Sequence, residues 1–357
     1  MTGDGSYIGE LDALLTILEK RPIYTDDTGM DLAGSRFFIT GGTGFLGLAL
    51  VATLLRANCV HNLRLSITIL SRDPEHFAQE CPTVASDAAV RLVSGDVRSF
   101  VYPDGDFTHV IHAASDTSAA ADARPLELVS TIVEGSERVL EFARLRGAQR
   151  FLFLSSGAVY GPQPAGLDRL DEGYRGAPPT DDPGSAYGQA KRMAELLCTL
   201  YHAGSGLNTK IARCFSFVGP HMHIDGHFAI GNFIADAVAG RTIRVKGDGT
   251  AIRSYLYVDD AARWLLRILI AGRSGGVYNV GSDEPITIGD LAKRVAALTP
   301  IARSFRVEGK PSAPGPRHRY VPDVTRARNE LGLEIRTDLD QAIRRTAHWL
   351  ATHEEPS

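Results

Sequence analysis

The chain has 357 residues, of which 44% are hydrophobic and 22% charged, and 38 Lys+Arg against 42 Asp+Glu leave a formal net charge of −4. That balance suits a globular protein and excludes a disordered, collagenous or coiled-coil chain. It also lacks the long basic block expected of a nucleic-acid or membrane-surface binder, and the length admits a large fold with a smaller second lobe.

An opening extension, residues 1–34, places Ile8, Leu11, Leu14, Leu15 and Leu18 at helical spacing, which predicts a helix packed on the main body. Asp12 and Glu19 interrupt it, and no window of the chain approaches ~18 uninterrupted apolar residues, so neither an export signal nor a membrane span is expected. Cys59, Cys81, Cys198 and Cys214 are scattered without C-x-x-C spacing, which argues against a zinc site or a disulfide framework. The expected setting is a reducing, cytoplasmic one.

Next, short apolar runs alternate with longer helical patterns. Arg36 to Thr40, Ser66 to Leu70, Val90 to Val93, His109 to Ala113, Arg150 to Leu154 and Lys210 to Cys214 read as strands. Helical patterns run from about Phe45 to Ala57, Leu126 to Leu145 and Ala186 to Tyr201. This alternation predicts an α/β fold, a Rossmann-type doubly wound parallel sheet over residues 35–214 with both faces covered. Beyond it, residues 215–357 are expected to form mainly a smaller C-terminal substrate-binding lobe with some return to the sheet. Its strands lie around Ile243 to Val245 and Val277 to Val280, and its helices near Phe233 to Ala239, Asp259 to Ile270 and Ile288 to Leu298.

The first strand runs directly into Gly41-Gly-Thr-Gly-Phe-Leu-Gly47 and an apolar helix. A turn without Cβ atoms lets backbone N–H groups approach a pyrophosphate at the positive end of a helix, so Gly41, Gly44, Phe45, Leu46 and Gly47 are candidate dinucleotide contacts. After the second strand, where an acid would hold the 2′-hydroxyl of NAD, stand Ser71 and Arg72. A hydroxyl and a guanidinium suit a 2′-phosphate, which favours NADP over NAD. Asp96 and Val97 after the third strand, and Ala113 and Ala114 at the end of the fourth, are further cofactor candidates.

Ser155-Ser156 ends the fifth strand and is followed by Tyr187-Gly-Gln-Ala-Lys191. On a helix, i and i+4 share a face, so Lys191 can lie under Tyr187. A phenol of ordinary pKa ~10 needs an adjacent cation to exchange protons near neutrality. Tyr187 would then move a hydroxyl proton while Ser156 holds the substrate oxygen.

On these residues the chain resembles the extended short-chain dehydrogenase/reductase family, in its nucleotide-sugar epimerase/dehydratase branch. The resemblance runs over about residues 35–350, through the glycine loop, Gly95-Asp96-Val97, Ser155-Ser-Gly-Ala-Val-Tyr-Gly161, Tyr187-x-x-x-Lys191, Arg213-Cys-Phe-Ser-Phe-Val-Gly-Pro220, Gly247-Asp-Gly249, Arg253-Ser-Tyr-Leu-Tyr-Val-Asp-Asp260 and Tyr278-Asn-Val-Gly281. It implies catalytic roles for Ser156, Tyr187 and Lys191, and a nucleotide-diphosphate sugar bound by Arg253 and by Arg317 and Arg319 of the run Arg317-His-Arg-Tyr-Val-Pro-Asp323. It also implies a homodimer formed through the Tyr187 helix and the helix near Leu126.

The departures narrow the chemistry. Where 4,6-dehydratases of the family carry an Asp-Glu pair after the catalytic Thr, this chain has Gly157 and Ala158, which exchange no protons, and the related decarboxylase carboxylate is missing too. Ser216 replaces a common Asn, and an Asn expected near Ile132 is absent. Ser216 and Asn232 are the remaining candidate sugar contacts. His221, His223 and His227 share one loop, but no complementary ligand cluster accompanies them, so no metal is expected. Cys214 reads as core rather than nucleophile. The expected activity is NAD(P)-dependent hydride transfer at a sugar carbinol or ketone, with C4 epimerisation placed ahead of NADPH-dependent reduction of a 4-keto-6-deoxy sugar. Reduction of non-nucleotide ketones, and a binding protein that has lost turnover, rank lower.

Overall fold

The computed structural model describes residues 32–115, 123–224, 228–299, 304–310 and 318–353. The expected N-terminal helix, His227 and Arg317 lie outside them.

Strands β1 (Arg36–Thr40), β2 (Ser66–Ser71), β3 (Val90–Ser94), β4 (His109–His112), β5 (Arg150–Ser156), β6 (Thr209–Cys214) and β11 (Val277–Val280) form one parallel sheet, in the order β11-β6-β5-β4-β1-β2-β3. Because both faces are covered, β1 is apolar through Phe37, Phe38 and Ile39, all fully buried. Alternate residues serve opposite sides. Phe37, Ile39, Ile67, Ile69 and Ile111 pack under helices α1 (Phe45–His61) and α7 (Val258–Ala271). Phe38, Val110, Phe151 and Phe153 pack under α4 (Pro125–Leu145) and α5 (Ala186–Ser205). Two short helices, α2 (Pro74–Glu80) and α3 (Pro82–Ala85), link β2 to β3.

A separate cluster around Phe233, Ile234, Leu291, Val295, Ile343 and Leu350 joins α6 (Ala229–Val238), α8 (Ile288–Leu298) and α10 (Leu339–His353) over the small parallel pair β8 (Ile243–Val245) and β13 (Phe305–Val307). The two-residue strands β7 (Phe217–Val218) and β10 (Leu256–Tyr257) pair with each other, as do β9 (Ile252–Arg253) and β12 (Ile286–Thr287). Helix α9 (Thr325–Leu331) precedes α10, and the sequence patterns anticipate neither.

Several helices outrun their expected limits. α1 continues to His61 because Asn62 stops it in the left-handed region, at φ 49°, and α5 continues to Ser205, where Gly206 stops it at φ 73°. Helix α6 begins at Ala229, ahead of the expected Phe233. No helix among the described residues is long and apolar enough to cross a membrane.

Candidate active site

The strand order reverses between β1 and β4, which opens a crevice beyond the carboxyl ends of the strands. The glycine loop fills that position. Gly41 has φ +70°, and a Cβ on it would stand 2.6 Å from the backbone of Ala113 and Ala114. A Cβ on Gly47 would stand 1.9 Å from the Gly41 carbonyl oxygen, so its absence lets α1 close onto the loop. Gly44 differs: its Cβ would meet only the Gly41 oxygen, at 3.6 Å. Gly44 starts α1 without a side-chain cap or an acid in the first turn, and half-buried Phe45 and Leu46 follow it. The positive helix end therefore faces the crevice, an arrangement that fits a dinucleotide pyrophosphate.

A buried polar chain fixes the facing strand end. Thr40 Oγ1 lies 2.7 Å from His112 Nδ1 and accepts from the Ala114 N–H at 3.2 Å, while His112 Nε2 lies 3.0 Å from Ser136 Oγ. Burial, with the Lys191 charge adding, pushes the His112 pKa down to about 3, so the ring is neutral. The chain pins Ala113 and Ala114 against Gly41.

Ser71 is buried at the end of β2 and accepts from the Asp73 N–H at 3.2 Å, with Arg72 exposed beside it. Asp73 is committed to capping α2, accepting from the His76 N–H at 2.9 Å. Asp96 is held by Arg98 through Nε at 2.8 Å and a terminal guanidinium nitrogen at 2.9 Å. That side-chain hydrogen bond above all holds the Asp96 carboxyl down at about 2, with Arg72 contributing charge. Buried Val97 rests against Gly135, whose Cβ would come within 2.8 Å of it.

Ser156, Tyr187 and Lys191 come together between β5 and α5. Gly188 brings the helix close, since a Cβ there would stand 2.7 Å from the Ala158 oxygen. The buried Lys191 ammonium donates to the Leu154 carbonyl at 2.8 Å, and lies 4.7 Å from the Phe153 ring centre and 5.8 Å from the Tyr187 ring centre. Burial pushes the Lys191 pKa down to about 8, with Cys214 and Glu195 acting the other way. Ser156 Oγ accepts from the Ala158 N–H at 3.1 Å. Behind this group Ser155 Oγ donates to Glu195 Oε1 at 2.5 Å, and Arg213 clamps Glu195 through bonds of 2.9 and 2.7 Å. Sequence reasoning missed this ion pair. The pair joins α5 to β6, so no spacing within one element announces it.

The other candidates are spread around the second lobe. Ser216 sits between β6 and β7, its carbonyl accepting from the Leu256 N–H at 3.0 Å, and half-buried Asn232 lies on α6. Arg253 donates to the Ile252 carbonyl at 2.8 Å and the His318 carbonyl at 3.3 Å. Arg319 reaches the Asp168 carbonyl at 3.2 Å. Between these arginines and Ser156 stands Tyr320, which sequence reasoning passed over. Its ring centre is 4.5 Å from that of Phe215, and its hydroxyl lies over Gly157, the residue after Ser156, with Tyr187 and Arg253 as charged or ionisable neighbours.

The His221 ring lies tilted against Trp349 with ring centres 4.5 Å apart, and burial pushes its pKa down to about 4. Among the described residues no three His, Cys, Asp or Glu side chains gather into a metal-binding group. Burial pushes the Cys214 thiol up to about 12, which leaves it neutral beside Lys191.

The fold and sequence of this chain are similar to those of known proteins. The model of the NAD dependent epimerase/dehydratase family matches residues 37–281. UDP-glucuronic acid decarboxylase 2 of Arabidopsis thaliana is 31% identical over 317 residues, which span 88% of this chain and 68% of the relative. A dTDP-glucose 4,6-dehydratase from Streptomyces venezuelae, solved with NAD bound, superposes with a TM-score of 0.75 at 25% identity, covering 89% of this chain and 97% of that one. A UDP-glucose 4-epimerase from Thermus thermophilus, also solved with NAD, gives 0.72 at 25%, covering 88% and 98%. These three relatives carry three different reaction names on one fold. With its glycine cradle, its parallel sheet and its matched residues, the chain belongs to the NAD dependent epimerase/dehydratase family of nucleotide-sugar enzymes.

Proposed function

We propose that this protein transfers hydride at a ring carbinol of a nucleotide-diphosphate sugar and so interconverts epimers at C4. The observation that carries the reading is the pair Gly157–Ala158 beside Ser156. Neither residue exchanges protons, and the space where a Gly157 side chain would stand is taken by the Tyr320 hydroxyl at 2.5 Å and the Phe215 ring at 2.7 Å. Elimination of water asks for a further proton-transferring pair that Gly157 and Ala158 do not supply, whereas reversible oxidation at one carbon uses Ser156, Tyr187 and Lys191 together with the dinucleotide.

In this reading the dinucleotide is held by Gly41, Gly44, Phe45, Leu46 and Gly47 at its pyrophosphate, by Ser71, Arg72, Asp96 and Val97 at its adenosine end, and by Ala113, Ala114, Tyr187 and Lys191 toward the nicotinamide. Bound NAD(P) supplies the acceptor, and on return the donor, of hydride at the sugar carbon. Tyr187 removes the proton from the reacting hydroxyl and gives it back, and Ser156 donates to the same oxygen. The Lys191 charge stabilises the phenolate as it forms. Arg253, Arg317 and Arg319 clamp the diphosphate, and Ser216 and Asn232 orient the sugar.

The second reading, reduction of a 4-keto-6-deoxy sugar by exchangeable NADPH, is favoured by Ser71 and Arg72, because Asp73 is occupied as a helix cap and leaves a guanidinium at the ribose end. Releasing the cofactor from purified protein separates the two. Retained NAD(H) in near-stoichiometric amount supports epimerisation, and protein that arrives empty and takes up NADPH supports reduction.

We also infer a homodimer. Leu126 on α4 is 86% exposed, and Met193, Leu196 and Leu200 on α5 are about half exposed, an apolar strip on two adjacent helices that a second copy would cover.

A further inference from the structure

Tyr320 reaches the active site from a distant part of the chain, and its backbone is fastened on both sides. Its N–H donates to the Ile252 carbonyl at 3.0 Å, and the Ile252 N–H donates to the His318 carbonyl at 2.7 Å. On the other side the Leu170 N–H donates to the Val321 carbonyl at 2.9 Å, and the Val321 N–H donates to Gln163 Oε1 at 3.1 Å. The ring lies against Phe215. So held, the hydroxyl comes to rest over Gly157, 2.5 Å from where a Cβ would be and next along the chain from Ser156.

A serine hydroxyl has one hydrogen to give and two lone pairs to fill. The Ala158 N–H fills one lone pair of Ser156. The phenol beside it is neutral, since burial pushes its pKa up, and so carries a hydrogen to donate.

We propose that Tyr320 is a positioning residue for the reaction inferred above: its phenol donates to Ser156 Oγ, fills the second lone pair, and leaves the serine hydrogen directed at the substrate oxygen. The proposal rests on the hydride-transfer reading for its kinetic consequence but not for the contact itself. It also makes Gly157 and Tyr320 a matched pair. A side chain at position 157 and the phenol at position 320 would compete for one space.

Two double-mutant cycles test it. In turnover of a nucleotide sugar, Tyr320→Phe lowers kcat about tenfold with KM within about twofold, because a hydroxyl is lost and the packing on Phe215 is kept. In a Ser156→Ala background the same change costs nothing further. If the two losses multiply, Tyr320 acts independently of the serine and the proposal is wrong. A stability cycle with the same variants needs no substrate: the shifts in urea midpoint of the two single variants sum to more than the shift of the double. Additive midpoints overturn the contact. A parent protein that turns over no nucleotide sugar overturns the reaction reading alone, and the stability cycle then decides the role of Tyr320.

Discussion

Lys191 stands beneath Tyr187, its ammonium 5.8 Å from the centre of the phenol ring and anchored at 2.8 Å on the Leu154 carbonyl, two residues before Ser156. One buried cation thus ties the helix that carries the proposed base to the strand that carries the proposed serine. Loss of either Tyr187 function or Lys191 charge is expected to stop the chemistry while the fold survives. Tyr187→Phe lowers kcat by about 10²–10⁴-fold with little change in unfolding midpoint. A variant that turns over at the parental rate removes Tyr187 from the mechanism.

The Lys191 charge is also expected to set the pH dependence. Burial brings its pKa from 10.5 down to about 8, so the ammonium discharges near pH 8 and activity falls on the alkaline side of that value. The sign for stability is opposite. Between about pH 8 and 10.5 the unfolded chain binds the proton that the folded chain has released, so folding stability rises with pH across this window. Lys191→Met removes both the activity and that rise. Urea midpoints measured from pH 7 to 10 check it, and an unchanged slope in the variant would contradict the assignment.

The three glycines of the loop are expected to differ. Gly47→Ala drives a Cβ into the Gly41 carbonyl, at 1.9 Å, and lowers stability by about 1–3 kcal/mol along with cofactor retention. Gly44→Ala meets the protein only at 3.6 Å, so the fold melts close to the parental temperature. Its methyl instead occupies the mouth of α1, and the gain in melting temperature on adding NAD(P) shrinks. Equal damage from both variants would refute the distinction.

Glu195 and Arg213 are only 11% and 14% exposed, so removing one leaves the other charged and buried. Glu195→Ala costs about 3–5 kcal/mol in urea unfolding and frees Ser155 at the strand end next to the proposed serine, Ser156. The helix-surface pair Glu141 and Arg144 is 34% and 44% exposed, and Glu141→Ala costs less than about 1 kcal/mol.

Glutamates at Leu196 and Leu200 put charge into the exposed apolar strip of α5. Sedimentation is expected to give a dimer for the parent and a folded monomer for this double variant. A monomeric parent contradicts the homodimer.

Much of the sheet and the cradle was legible because burial on both faces leaves continuous apolar runs such as Phe37-Phe-Ile39, and because a close backbone approach admits only glycine at positions 41 and 47. Lys191 was legible from its spacing to Tyr187. Tyr320 was not, since it lies in a segment without periodicity and gains its meaning from bridges to Ile252 and Leu170 that form only in the fold. The four strands of two residues, β7, β9, β10 and β12, are too short for any alternation to register. Helix α10 did carry a signal, with Ala342, Ile343, Thr346 and Leu350 buried at helical spacing, but its polar and basic remainder hid the stripe. At the adenosine end, Asp73 and Arg98 took local hydrogen bonds that spacing does not reveal.

The reaction proposed for Ser156, Tyr187 and Lys191 is hydride transfer at one ring carbon without elimination or decarboxylation. Its most direct test is to incubate the purified protein, with no cofactor added, with UDP- and dTDP-hexoses deuterated at C4 and with UDP-glucuronic acid, and to follow the products by NMR. The expected product is a C4 epimer that keeps deuterium at C4. Release of carbon dioxide from UDP-glucuronic acid, or a 4-keto-6-deoxy product from a hexose, would contradict it.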